Sequence, residues 1–148
     1  MIYFKPLTEK HEWRWVQDRA HPICCEDSQG IVAYDVEKVV IVACIVFDSF
    51  TVDACNVHMA IDKPMVLRHG FLEECTRHLF LTCGRKRIFG LVPADNAKAL
   101  KLNKHLGFRE VARVPDAYDE GIDYVVMRMD ADDNRWINLN EYREQRVA

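Results

Sequence analysis

The stretch whose reading decides the fold is Gly90-Leu91-Val92-Pro93-Ala94-Asp95-Asn96-Ala97-Lys98-Ala99-Leu100-Lys101-Leu102-Asn103-Lys104-His105-Leu106-Gly107-Phe108-Arg109-Glu110. It opens on the end of a short apolar strand, 87–92, and turns polar at Asp95. Aspartate caps helices because its carboxylate accepts from the free N–H groups of the first turn. Ala99, Leu102 and Leu106 then recur at helical spacing, and Gly107 is the natural left-handed stop before the next strand begins at Phe108.

Upstream, Cys55, Val57, Met59 and Ile61 alternate with Asn56, His58 and Ala60. Residues 54–61 therefore read as a strand with one apolar face and one face carrying an amide and an imidazole. Leu72, Cys75, Leu79 and Cys83 are spaced for a helix from residue 66 or 68 to 83, with Gly84 as its stop. A strand, a helix and the strand at 87–92 make a right-handed parallel crossover. Residues 38–47 are nearly all Val, Ile, Ala, Cys and Phe, as in a strand buried on both faces, and Asp48-Ser49 breaks the run. A shorter strand covers 31–34. Ahead of it, Thr8 is the expected N-cap of a helix carrying Trp13, Val16 and Ala20, with Glu9 and Glu12 near its positive end. Downstream, strands at 108–114 and 122–129 are joined through a polar hairpin link, 115–121. The expected order is helix, three strands, helix, strand, helix, two strands.

The totals suit one domain. The 148 residues are 49% hydrophobic and 29% charged, and a formal charge of -3 argues against nonspecific nucleic-acid binding. Of six cysteines, Cys44, Cys55, Cys75 and Cys83 sit in apolar patterns where a free thiol packs as a small hydrophobe. The first residues hold no long apolar run, and no stretch reaches the roughly 18 apolar residues of a membrane span. The expectation is a reduced protein of a bacterial or phage-infected host cytoplasm, a monomer or homodimer without disulfides or a membrane anchor. No Cys-x-x-Cys or His-Glu-x-x-His occurs, and the His21, Cys24, Cys25 group is poor chelating geometry, so no metal is expected. Residues 1–130 read as the domain and 131–148 as a polar tail, with Trp136, Leu139 and Tyr142 spaced for a short packed helix.

The stretch 90–110 resembles the signature of the GNAT acetyltransferases, a strand followed by Asn-x-x-Ala-x-x-Leu and closing in Leu-Gly-Phe. Asn96, Ala99, Leu102, Leu106, Gly107 and Phe108 stand at the matching places. By element order the resemblance covers residues 38–130. It implies an α/β fold of the α+β type: a mixed, mostly antiparallel sheet flanked by helices, with one splayed parallel strand pair. It further implies an N-acetyltransferase that binds acetyl-CoA, or another short acyl-CoA, in the splay and lets a primary amine attack the thioester directly.

Carried over residue by residue, Met59, Ala60 and Ile61 would meet the pantetheine arm. Leu67, Arg68, His69, Gly70 and Phe71 would hold the pyrophosphate, and Asn96, Ala99 and Asn103 would flank the thiol end. The chain departs from the family in two places. The pyrophosphate loop usually reads Arg or Gln, two residues, Gly, one residue, Gly or Ala, and only Arg68-His69-Gly70-Phe71 is present here. Many members also place a tyrosine, the acid to the leaving thiolate, where Asn103 stands. These departures keep an alternative open: a weak or inactive module that binds acyl-CoA or a protein partner.

Among the polar residues, His58 is the candidate general base, since a neutral imidazole can take the proton of an ammonium near pH 7. Asn56 shares its face and is a candidate for holding substrate. Tyr118 and Asp119, with Asp116 and Glu120, lie in the hairpin link that would border the acceptor in this family. Lys98, Lys101, Lys104 and His105 read first as a solvated stripe.

Overall fold

β-branched and apolar runs separated by turn residues become strands where each can pair along both edges. In a computed structural model, which describes residues 1–141, the elements are β1 (Ile2–Pro6), α1 (Lys10–Ala20), β2 (Gln29–Asp35), β3 (Val40–Asp48), β4 (Ala54–Ile61), α2 (Phe71–Arg77), β5 (Arg87–Pro93), α3 (Ala97–Leu106), β6 (Arg109–Asp119) and β7 (Ile122–Asp130). A 3-10 segment, Pro64–Arg68, leads into α2, and a π-helical turn, His78–Thr82, extends it. One seven-stranded sheet has the order β1-β2-β3-β4-β5-β7-β6. Only β4 and β5 run parallel; every other pair is antiparallel. This is the expected mixed sheet.

The alternation along the strands sorts residues to two faces. Ile45, Phe47, Cys55 and Val57 pack with Leu72 and Cys75 of α2, with Leu79 of the π-helical turn and with Leu106 of α3. Val32, Cys44, Val46 and Ala60 pack on the other face with Val16 of α1. The helix from 66 or 68 starts later than expected, because Gly70 breaks the chain at φ 83 before Phe71. Gly30 has no room for a side chain: a Cβ there would lie 2.6 Å from the Ile45 carbonyl oxygen.

Four further expectations are corrected. β1 is an additional strand. Its few residues end in Pro6 and carry little periodicity, and their strand state comes from antiparallel pairing with β2. The N-cap of α1 is Glu9, not Thr8, because the Glu12 side chain folds back to accept the N–H groups of Glu9 at 2.9 Å and Thr8 at 3.2 Å. The cap of α3 is Asn96, not Asp95: Asn96 Oδ1 accepts from the Ala99 N–H at 3.1 Å. β6 continues to Asp119, bulged between Val114 and Asp119, so the link to β7 shrinks to a tight turn with Gly121 at φ 76.

After β7 the chain returns to the domain. The Trp136 indole N–H donates to the Leu106 carbonyl at 3.0 Å, and Leu139 is buried. Tyr142 lies outside the described residues. The six cysteines are free; Cys44, Cys55 and Cys75 are buried, and Cys24 and Cys25 exposed. Among the described residues no helix is long and apolar enough to cross a membrane.

Glu12 is a fully buried charge. Burial works against its ionised form, but hydrogen bonds from the Lys5 ammonium, the Tyr34 hydroxyl and the Glu9 and Thr8 N–H groups more than offset it and hold its pKa down to about 2. A carboxyl depressed in this way stabilises the fold in full above its ordinary value of 4.5, and the gain is lost as pH falls toward about 2. Glu12→Gln is therefore expected to lower the unfolding free energy at neutral pH by about 2–3 kcal/mol. Urea melts of both proteins should converge as the buffer is acidified through that window. The cap assignment of α3 is checked in the same way: Asn96→Ala should cost about 1 kcal/mol, and Asp95→Ala less than about 0.5 kcal/mol.

Candidate functional site

β4 and β5 stay paired for only three residues: Ala54 with Arg87, Cys55 with Ile88 and Asn56 with Phe89. Beyond that point β4 follows β3 to the Ile61–Ala43 pair, and β5 follows β7 to the Pro93–Tyr124 pair. The strands diverge, and the edge of β4 from Val57 to Ile61 that faces β5 has no strand beside it. Backbone N–H and C=O groups on such an edge need partners. At the mouth of the divergence β5 carries Gly90, where a Cβ would come within 3.8 Å of Val57 Cγ1 and 3.9 Å of Asn103 Oδ1. The missing side chain leaves the opening to β4 and α3.

His58 lies just beyond the last paired residue of β4, on the face covered by α1, opposite Val46. It is half-buried, and its Nε2 is 2.7 Å from Oδ2 of Asp48, which is fully buried at the end of β3. The contact is close but not aligned as a hydrogen bond, and Asp48 Oδ1 has no partner of its own, so Nε2 and Oδ1 are both buried without a satisfied bond. Asp48 Oδ2 also accepts the Ile23 N–H at 2.8 Å. The sequence reading passed over Asp48 as a strand breaker. The available signal was a lone acid directly after an apolar run. Asn56, cross-strand from Asp48, is half-buried on the same face as His58. Cys55 faces the opposite cluster, so it forms no pair with His58.

From α3, Ala99 and Asn103 are half-buried. Asn103 Nδ2 donates to the Ala99 carbonyl at 2.8 Å, which leaves its Oδ1 toward Gly90. Asn96 is exposed, and its side-chain oxygen is engaged as the cap. Met59 and Ile61 are half-buried against the α2-side cluster, while Ala60 is buried on the α1 side.

In the segment expected to hold the pyrophosphate, Arg68 and His69 are exposed, and Arg68 has no protein partner among the described residues. Leu67 packs partly against the core. Phe71 is fully buried, its ring 5.7 Å from that of Phe4, so its side chain belongs to the core and only its backbone stands at the start of α2. Glu73 Oε2 is buried without a partner and would lie 3.9 Å from a Cβ at Gly70. A carboxylate in that position competes with any anion at the start of α2.

The β6–β7 hairpin reaches the end of the sheet where β5 leaves β4, since Tyr124 pairs with both Pro93 and Val114. Tyr118 is exposed and meets Tyr124 edge-on at 5.5 Å. Asp116 accepts from the Gly121 N–H and Asp119 from the Glu120 N–H, so both acids build the turn as well as charge it. Lys98, Lys101, Lys104 and His105 are exposed, as a solvated stripe would be.

No family model and no curated protein matches the chain by sequence. Solved structures do match. A mutant of the spermidine N-acetyltransferase SpeG from Vibrio cholerae superposes with a TM-score of 0.73 at 12% identity, covering 94% of this chain and 98% of that one. The same enzyme in complex with manganese ions gives 0.70 at 12% identity, covering 88% and 92%. The ribosomal-protein-S5-alanine acetyltransferase of Vibrio fischeri gives 0.61 at 16% identity, covering 75% and 64%. At such identities the likeness speaks to architecture, and with the sheet order and the single splayed parallel pair it establishes that this chain has the fold of the GNAT acetyltransferases.

Proposed function

We propose that the chain is an N-acetyltransferase that joins acetyl-CoA, or another short acyl-CoA, and a primary amine in one ternary complex. The observation that carries this reading is the divergence of β4 from β5 after three paired residues. The free edge of β4 at Met59, Ala60 and Ile61 can pair with the amides of a pantetheine arm as a strand would. Arg68, exposed and uncommitted among the described residues, is suited to a diphosphate. Ala99 is small enough to let an arm pass beside α3, and Gly90 keeps the opposite wall low.

When bound, acetyl-CoA supplies a thioester whose carbonyl carbon the amine attacks; the C–N bond forms and the C–S bond breaks. The chain holds the two partners close and excludes water from the gap between the strands. His58 accepts the proton of the incoming ammonium at Nδ1, which has no protein hydrogen bond. Asn103 cannot protonate a thiolate, so that proton comes from solvent. Asp116, Asp119, Glu120 and Asp123 gather negative charge at the hairpin and favour a cationic acceptor, with Tyr118 and Asn56 as further contacts. Polyamine and protein amines, the acceptors of the matched acetyltransferases, are both of that kind. The free thiols support a cytoplasmic setting.

A second reading, acyl-CoA binding without turnover, is favoured by Asn103, whose amide cannot protonate a leaving thiolate. Calorimetric titration with acetyl-CoA, followed by CoA release across an amine panel, separates the two. Saturable binding with amine-stimulated release is expected; binding without release supports the second reading, and no binding at millimolar acetyl-CoA removes both. Arg68→Glu should weaken acetyl-CoA affinity about tenfold, and unchanged affinity would mean the diphosphate lies elsewhere. His58→Ala should lower turnover about hundredfold with acetyl-CoA affinity unchanged.

A further inference from the structure

We infer that Asp48 is the positioning residue of His58: its buried carboxylate holds the imidazole as the Nε2–H tautomer and leaves Nδ1 as the basic nitrogen. Three observations converge on it. Asp48 is fully buried, and one of its oxygens, Oδ1, has no partner. Its other oxygen is 2.7 Å from His58 Nε2. Among the described residues no lysine or arginine contacts Asp48, and the backbone N–H of Ile23 is the one donor hydrogen-bonded to it.

A carboxylate in that position has lost its water and is costly unless donors reach it. The imidazole, with Nε2 2.7 Å from Oδ2, is the side chain placed to donate once its N–H is aligned with that oxygen. A neutral ring that donates from Nε2 is basic only at Nδ1. The strand register makes the arrangement rigid. Val46 lies opposite His58 and Asp48 opposite Asn56, so carboxylate and ring are diagonal neighbours on one face of an antiparallel pair. Asp48 thus acts through His58 and touches no substrate. The same oxygen ties the loop before β2 to this pair through Ile23, so orientation of the base and placement of that loop share one anchor.

The consequence for turnover rests on the proposed transferase reading; the tautomer does not. In the protein labelled with ring-15N histidine, the neutral His58 ring should show a protonated Nε2 and a bare Nδ1. An Nδ1–H ring overturns the inference, and this measurement on the unaltered protein stands even if a variant fails to fold. In Asp48→Ala the ring should lose its single tautomer, and an unchanged spectrum also overturns the inference. With acetyl-CoA and spermidine as probes, Asp48→Ala should lower kcat by about 10–100-fold while the KM for acetyl-CoA stays within about twofold. A KM that rises with kcat unchanged would make Asp48 a scaffold residue and overturn the positioning role. If the tautomer readouts hold but His58→Ala turns over normally, the assignment of His58 as the base fails and the Asp48–His58 pairing stands.

Discussion

The partnership of β4 and β5 ends after Asn56 and Phe89, and most of what distinguishes this molecule depends on that separation. A parallel pair is joined only through a crossover, so the segment from Asp62 to Lys86 must leave the sheet and return beside its own start. The crossover packs α2 against Phe47, Val57 and Ile88, which pins the lower halves of both strands. Past that point each strand is held by its other neighbour, β4 by β3 and β5 by β7, and the sheet opens between them. The opening is a consequence of pairing geometry and needs no special residue at its walls beyond Gly90.

The α1-covered face is organised differently from the α2-covered one. Among the described residues the buried polar side chain on the α2-covered side is Thr76, whose hydroxyl donates to the Leu72 carbonyl, whereas two fully buried acids, Glu12 and Asp48, accompany the smaller cluster. Glu12 is satisfied several times over, by Lys5, Tyr34 and two backbone N–H groups, and it locks α1 to β1 and β2. Asp48 is under-satisfied, with a histidine at 2.7 Å and one oxygen bare. Saturated buried charges serve rigidity, while an under-satisfied one calls for an explanation in the groups around it. The first acid belongs to the scaffold, and the second adjoins the only candidate base on β4.

Much of the fold was legible because it rested on local rules. The alternation of Cys55 to Ile61, the apolar run of β3, the Leu102–Leu106–Gly107 helix end and the strand–helix–strand crossover are properties of neighbouring residues. The misreadings share a cause. Thr8 and Asp95 are good cap residues, but Glu9 and Asn96 cap, because capping depends on where the chain bends and not on which candidate comes first. The Phe71 side chain packs in the core, while its backbone stands at the start of α2, directly after the turn at Gly70. β1 has almost no periodic signal and is a strand because the edge of β2 was available to it.

The sequence by itself determined the order of the main elements, which follows from periodicity and turn chemistry, while the class of fold and the helix and strand that bound the opening came through the family resemblance carried by the stretch from Gly90 to Glu110. Tertiary structure alone decided how far β4 and β5 remain paired, that Glu73 rather than an empty loop lies beside Gly70, and that Asp48 is buried against His58. The physical reason is that a strand edge, a desolvated carboxylate and the direction of an imidazole N–H depend on which distant residues arrive beside them. An aspartate after an apolar run reads as an exposed turn until a neighbouring strand, a loop and a helix close over it.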